Sequence, residues 1–230
     1  MGLDQRKKYA TMHSMPFALF ALSVVGLLLL LSEILWRKKV IAGEFGRKIL
    51  HMSLGMFIAS WPYFMSMNLI VLIATAATLT LMLSKKFTLF HAIHDVSRTT
   101  YGEILYPISI IIIALLADAN WIFAMAILFV AIPDGMAALA GKKWGTKRTK
   151  MKIWNNDKTI IGTCTYIVFA YLVIGAGLII GGRDSILANS TRCIVLLPLF
   201  AGFFEAVSPY GLDNVTVPLL VVLTLNSLAA

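Results

Sequence analysis

Long apolar runs, interrupted by short clusters of basic, acidic, Gly and Pro residues, set the pattern of this chain. Eight runs have the character of membrane spans, at about 16–36, 50–66, 68–84, 104–118, 120–140, 160–181, 193–207 and 215–230. A helix crosses hydrocarbon with about 20 apolar residues. Several runs fall short of that or carry breaks at Trp61-Pro62, Ile132-Pro133 and Ser208-Pro209-Tyr210-Gly211. Irregular backbone at membrane depth survives only where protein or a wet cavity satisfies its polar groups. The pattern therefore predicts an all-α fold, a polytopic transmembrane helical bundle of about seven or eight spans, some of them short or broken. Eight spans use on the order of 160 residues, which leaves no room for a large soluble domain. Residues 1–230 read as one integral-membrane domain, with a basic N-terminal arm over 1–15 and a peripheral first span over 16–44. There is no internal repeat and no low-complexity segment.

Composition agrees. The chain is 59% hydrophobic and 13% charged, with a mean hydropathy of +0.84, against roughly 25% charged in a soluble domain. The net charge of +9 points to basic loops on one membrane face and to anionic headgroups rather than to nucleic acid. A phosphorylated substrate fits the same excess. Two cysteines in separate apolar runs carry no redox argument. The run Phe17–Leu31 has no small-x-small cleavage site and reads as a retained first helix. Arg6 stands where a myristoylation signal after Met1-Gly2 needs Ser or Thr.

Basic residues also orient the bundle. An external N-terminus puts the connections 37–49, 85–103, 141–159 and 205–214 on the cytoplasmic side. Fifteen of the 20 basic residues then lie there, against Arg6, Lys7, Lys8, Arg183 and Arg192 on the other face. The same orientation gathers Arg47, Lys48, His51, Glu103, Asp134, Lys158, Glu205, Asp213 and Asn214 near cytoplasmic helix ends, where scatter predicts an even split.

The segment 131–145 (AIPDGMAALAGKKWG) is the strongest of these clusters. A carboxylate close to hydrocarbon costs several kcal/mol unless paired or metal-bound, so Asp134 is a functional candidate. Ala137 or Ala138, Gly141 and Gly145 follow it at helical steps, leaving a stripe of small residues where phosphate or a second backbone can approach; helix packing is the competing role. Next come a cationic loop, Gly145 to Lys152, and the run Asn156-Asp157-Lys158-Thr159-Ile160-Ile161-Gly162-Thr163. Lys158 and Thr159 at a helix start combine charge, hydroxyl, free N–H groups and the helix dipole against phosphate. A positive-inside loop with an ordinary N-cap is the alternative, and the favoured one for the lysines at 147–152. This is not a Walker A loop. Five residues separate Gly135 from Gly141, and Lys143 occupies the Ser/Thr position.

Two further clusters complete the chemistry. Arg47-Lys48 and His51 open the second span with Gly55 one turn on, so that cation, imidazole and open space share a face; His51 serves a hydroxyl or a phosphate there, or is a buried structural histidine. His91 and His94 make no zinc pattern with the cysteines. Glu205, the turn Ser208-Pro209-Tyr210-Gly211 and Asp213-Asn214 form the last group. Asp213 or Asn214 suits an N-cap. Equally, Glu205 and Asp213 opposite Asp134 can ligate Mg²⁺, a cation that takes oxygen ligands and bridges to phosphates. Arg98 and Glu103 flank the fourth span as cation and acid or as caps, and Gly177 and Gly181 suit helix packing.

Taken in chain order, Arg47-Lys48 with His51 and Gly55, Asp134 with Ala137, Gly141 and Gly145, Lys158-Thr159 with Gly162-Thr163, and Glu205 through Asn214 with Pro218 resemble the diacylglycerol/polyprenol kinase family. That family includes dolichol, phytol and CTP-dependent diacylglycerol kinases. The match covers about residues 45–220 as a family-like core. It is similar also to the phosphatidate cytidylyltransferases, but Ser208 through Asn214 lacks their acidic, Gly- and Arg-rich ending. The resemblance implies a membrane kinase that moves the terminal phosphoryl group of a nucleoside triphosphate, often CTP, to a lipid alcohol with Mg²⁺. It implies a metal held by Asp134 with Asp213 or Glu205. Phosphates are then placed by Lys158, Thr159, Thr163, Asn214, the glycines 141, 145 and 162, and one of Lys142 and Lys143. Arg47, Lys48 and His51 meet phosphate or the lipid hydroxyl, and Asp213 or His51 takes its proton. A CDP-lipid-forming transferase and a transporter with charges along an ion path remain the alternatives.

Overall fold

A computed structural model of the chain describes residues 3–41, 43–87, 91–94, 100–153, 156–177 and 191–229. The elements are α1 (Leu3–Arg37), α2 (Gly43–Ala59), α3 (Met67–Phe87), a single turn α4 (His91–His94), α5 (Gly102–Leu116), α6 (Asn120–Trp144), β1 (Lys150–Ile153), β2 (Asn156–Thr159), α7 (Ile160–Gly177), α8 (Thr191–Val207) and α9 (Asp213–Ala229). Short 3-10 turns occupy Trp61–Tyr63 and Lys147–Thr149. The fold is the predicted all-α membrane bundle. Met15–Arg37, Met67–Phe87, Asn120–Trp144 and Ile160–Gly177 are long and apolar enough to cross a membrane, and α5, α8 and α9 carry shorter apolar stretches. Leu19, Leu27, Leu72, Leu115, Leu172 and Phe203 turn outward, as suits a surface solvated by lipid rather than water.

The helix α6 forms the centre, packed against α2, α7 and α9, while α3 pairs with α5 and α8 with α7 and α9. Its residues Ile122, Phe123, Met125, Ala126, Ile127, Phe129, Val130 and Ala131 are all buried, so it is apolar all round, as a helix enclosed by others must be. Tyr166, Ile70, Ile113, Val217, Val221 and Leu225 fill the space between these helices.

Several boundaries differ from the sequence reading. The second span, expected from residue 50, begins at Gly43, whose φ of +63° lets the chain turn out of α1. Glu44 in the first helical turn suits the dipole and binds Arg47 at 2.6 Å. Arg47 and Lys48 are therefore helical rather than part of a 37–49 connection. The break at Trp61-Pro62 is present as a 3-10 turn, whereas no break occurs at Ile132-Pro133. Pro133 has no N–H for the Phe129 carbonyl, and the Tyr166 hydroxyl of α7 donates to that oxygen at 2.9 Å instead. The cationic loop contains an antiparallel hairpin, with Met151 opposite Lys158 and Lys150 opposite Thr159. Arg98, Gly181 and Arg183 lie outside the described residues, as do the last residues of the 160–181 span and the side chains of Arg6, Lys7, Lys8, His94 and Arg192.

The two ends of the bundle differ in chemistry. At one, ion pairs join α3 to α5 (Lys85 to Glu103, 2.7 Å), α2 to α6 and β2 to α8, and His91 Nδ1 of α4 lies 3.3 Å from Glu33 Oε1 of α1. The other end is closed by neutral hydrogen bonds, from Asn226 Nδ2 to Leu116 O at 2.7 Å and from Asn120 Nδ2 to Pro62 O at 2.9 Å. Helices that alternate in direction thus bring the charged segments 43–48, 134–159 and 205–214 together, as the sequence pattern predicted.

Candidate active site

Three local features fix the charged cluster. Gly141 and Gly162 let α6 and α7 approach closely: a Cβ on Gly162 would lie 3.0 Å from Ala137 O, and one on Gly141 2.6 Å from Thr159 Oγ1. Thr159 caps α7, its hydroxyl accepting from Gly162 N at 3.0 Å, and the hairpin delivers Lys158 to the same spot. Finally, Tyr210 and Gly211 both take left-handed φ values, +55° and +88°, which folds α9 back on α8 so that Asp213 returns beside Glu205. A Cβ on Gly211 would sit 2.6 Å from Gly102 N, so the tight approach of this turn to α5 requires glycine.

Within the cluster, Lys48 binds Asp134, and Lys158 binds Glu205 while standing 3.7 Å from Asp213. One oxygen from each of Asp134, Glu205 and Asp213 lies within 4.8 Å of the other two. Three carboxylates against two ammonium groups leave one net negative charge, in a place where only 15% of the Lys158 side chain and 5% of Glu205 are exposed. Burial alone lowers the pKa of Lys158, but Glu205, Asp213 and Asp134 outweigh it and hold the ammonium above its ordinary range. Three hard oxygen donors so close together suit a small divalent cation.

Lys48, Asp134, Lys158 and Glu205 of this cluster line a polar cavity of about 420 Å³, and Asp213 stands behind them. Lys142, Lys150, Thr159 and Thr163 line it as well, with Gly141 and Gly162 in its floor. The Thr163 hydroxyl is buried and has no hydrogen-bond partner among the described residues. The stripe of small residues packs α6 on α7, the role that competed with an open phosphate site, and Ala137, Ala138 and Gly141 also border the cavity. Other candidates are placed elsewhere. Lys143 holds its ammonium 5.0 Å over the Trp144 ring, so Lys142 is the member of the pair that reaches the cavity. Gly145 is the C-cap of α6, its N–H donating to Gly141 O. Asn214 is spent on the turn, with Nδ2 donating to Gly211 O at 3.0 Å.

Arg47 and His51 line a second, apolar cavity of about 350 Å³ between α1, α2, α3 and α5. The open space expected beside Gly55 is filled, since a side chain there would strike Ala131 and come within 2.9 Å of Tyr106 Oη. His51 Nε2 lies 3.8 Å from Asp134 Oδ2, so the imidazole stands between the two cavities. Its ring is 4.4 Å from that of Tyr106. Tyr106, Lys150 and Tyr166 were missed by motif reasoning. A lone phenol near the mouth of an apolar run was the available signal for Tyr106; Lys150 looked like any other loop lysine.

No family model matches the chain, and no solved structure matches it. A curated protein named phytol kinase, from Synechocystis sp., is 29% identical over 230 residues, covering 95% of this chain and 94% of that protein. Likeness over that length bears out the resemblance to the polyprenol kinase family read from the motifs; it does not extend to the cytidylyltransferases.

Proposed function

We propose that this membrane protein is a lipid-alcohol kinase, transferring the terminal phosphoryl group of a nucleoside triphosphate, CTP in first place, to the hydroxyl of an isoprenoid alcohol (dolichol, polyprenol or phytol type) or of diacylglycerol. One observation carries the reading: a cavity lined by lysines and carboxylates abuts an apolar one, with His51 between them. A triphosphate suits the first and a lipid the second. Full-length likeness to a phytol kinase supports the same class of reaction.

In this reading the polar cavity takes the phosphates. Lys142, Lys150 and Lys158 neutralise them, the Thr163 hydroxyl donates to an oxygen, and the first N–H groups of α7 add the positive end of the helix. Asp134, Glu205 and Asp213 would hold Mg²⁺, which when bound supplies charge neutralisation and orientation at the triphosphate. The lipid oxygen forms its bond to the terminal phosphorus as the bond from that phosphorus to the bridging oxygen breaks, and a nucleoside diphosphate leaves. His51 takes the hydroxyl proton, because it faces the apolar cavity whereas Asp213 is turned to Lys158. Positioning and charge stabilisation supply most of the rate. The positive-inside rule sets this end of the bundle on the cytoplasmic side.

The test is a matrix of lipid alcohols against nucleotides with purified protein, scored for lipid product and leaving group. Lipid monophosphate and CDP are the expected products. Pyrophosphate with a CDP-lipid would instead make the protein a cytidylyltransferase, and solute movement without nucleotide turnover would make it a transporter.

A further inference from the structure

The apolar cavity has one polar end. Leu54, Ile58, Ala74 and Ile110 form its walls, while Arg47, His51, Glu103 and Tyr106 gather at the end nearest Asp134. Three polar atoms there lack a protein partner: Tyr106 Oη, His51 Nε2 and Arg47 Nε are buried with no hydrogen bond among the described residues, although Arg47 binds Glu44 through Nη2. Tyr106 as a whole is only 8% exposed. An unpaired buried hydroxyl costs about 1–3 kcal/mol, so a phenol and an imidazole left open together at the head of an apolar cavity point to an absent hydrogen-bonding group. With the two rings 4.4 Å apart, a single group that both donates and accepts can serve the phenol and the ring nitrogen together. A hydroxyl on a hydrocarbon chain has that chemistry. The cavity is also bordered by α1, where a Cβ on Gly26 would meet nothing within 4 Å and Leu19, Leu27 and Leu30 face outward.

We propose that this cavity holds the hydrocarbon chain of the acceptor alcohol, and that Tyr106, with His51, binds its hydroxyl at the boundary with the polar cavity. The inference rests on the lipid-alcohol kinase reading for the identity of the occupant. Tyr106 thereby becomes an acceptor-binding residue, and the first span becomes part of the lipid site rather than a peripheral addition.

The experiment uses full-length protein in nanodiscs and two photoreactive probes, an isoprenoid alcohol and a diacylglycerol, each with a diazirine on the chain. Crosslinks to α2, α3 and α5 are expected with at least one probe, and the probe that labels identifies the kind of chain. Ala77→Phe, which fills the wall, should reduce that labelling at least tenfold. Tyr106→Phe, which keeps the ring and removes the hydroxyl, should raise KM for the alcohol about tenfold and leave nucleotide binding unchanged. Labels confined to the separate groove between α1 and α2, around Leu28 and Leu35, or labelling that Ala77→Phe does not reduce, would overturn the proposal. So would unchanged alcohol kinetics in Tyr106→Phe. Correct labelling without phosphoryl transfer from any nucleotide would leave the lipid site standing and remove the kinase reading, so the two fail separately.

Discussion

Replacing Lys158 by Met removes the ammonium that Glu205 and Asp213 share while keeping most of the side-chain volume. With Lys158 bound to Glu205 and 3.7 Å from Asp213, its loss raises the net charge of the cluster from one negative to two at a site almost closed to solvent. Breaking a buried pair from one side costs about 3–5 kcal/mol. The 15% exposure of the lysine puts the expected loss at the lower figure, about 3 kcal/mol, or roughly a hundredfold in the unfolding equilibrium. Lys158→Met/Glu205→Gln removes both charges, and about 2 kcal/mol of that loss should return, which a double-mutant cycle isolates. Unfolding of detergent-purified protein without nucleotide or metal gives both figures. The pH dependence carries a sign as well. A cation whose folded pKa is raised contributes stability that is complete below its ordinary value, 10.5 for lysine, and is lost only as pH rises through the elevated one. The contribution of the Lys158 ammonium to the stability of the parent should therefore stay constant between about pH 6 and 9. A single variant as stable as the parent, or a double variant no better than the single, would refute the assignment of Lys158 as counter-ion to Glu205.

Other substitutions separate the roles of the remaining residues. Asp134→Asn, inserted normally in the membrane, should abolish phosphoryl transfer in the product assay, and near-normal activity would remove Asp134 from the metal site. Lys142→Ala should weaken nucleotide binding severalfold in a titration while Lys143→Ala leaves it unchanged, because only the former lines the polar cavity. Tyr166→Phe strands the Phe129 carbonyl beside Pro133 and should destabilise the protein by about 1–3 kcal/mol, read from thermal unfolding. Gly162→Ala places a methyl 3.0 Å from Ala137 O, forcing α7 away from α6 at a cost of about 1–3 kcal/mol, and activity should fall more than stability as Thr163 and Lys158 are displaced.

Much of the site was legible in the chain because charge is so costly at membrane depth that each buried ionisable residue announces itself. Asp134 stood out on that ground, Lys158 as a cation at a helix start and Glu205 and Asp213 as carboxylates on either side of a tight turn, and the structure brings all four together. Which partner each would choose was not legible. Arg47 and Lys48 are adjacent in sequence, yet a helix turns neighbours by about 100°, sending Lys48 to Asp134 and Arg47 to Glu44 and the lipid side. Gly55 looked like open space because a missing side chain does not reveal that Ala131 has filled it. Pro133 looked like a break because the hydroxyl that satisfies its turn comes from Tyr166, 33 residues later in the chain. The hairpin escaped notice since its two strands are four residues each, shorter than an alternation pattern needs to declare itself.

The position of His51 follows from the same constraint that makes the rest of the site readable. A phosphate donor requires charge and water access, an alkyl acceptor requires their exclusion, and the reacting oxygen must belong to both regions at once. In this bundle the division falls along α2. On that helix Lys48 faces Asp134 and the polar cavity, and His51, close to one turn further on, faces the apolar one while staying 3.8 Å from the same carboxylate. A shift of one residue in the start of α2 would rotate both side chains by about 100° and put the imidazole out of reach of Asp134. The left-handed Gly43 and the Glu44 to Arg47 pair set this start and so govern where Lys48 and His51 stand, while Glu44 itself borders the polar cavity and Arg47 the apolar one.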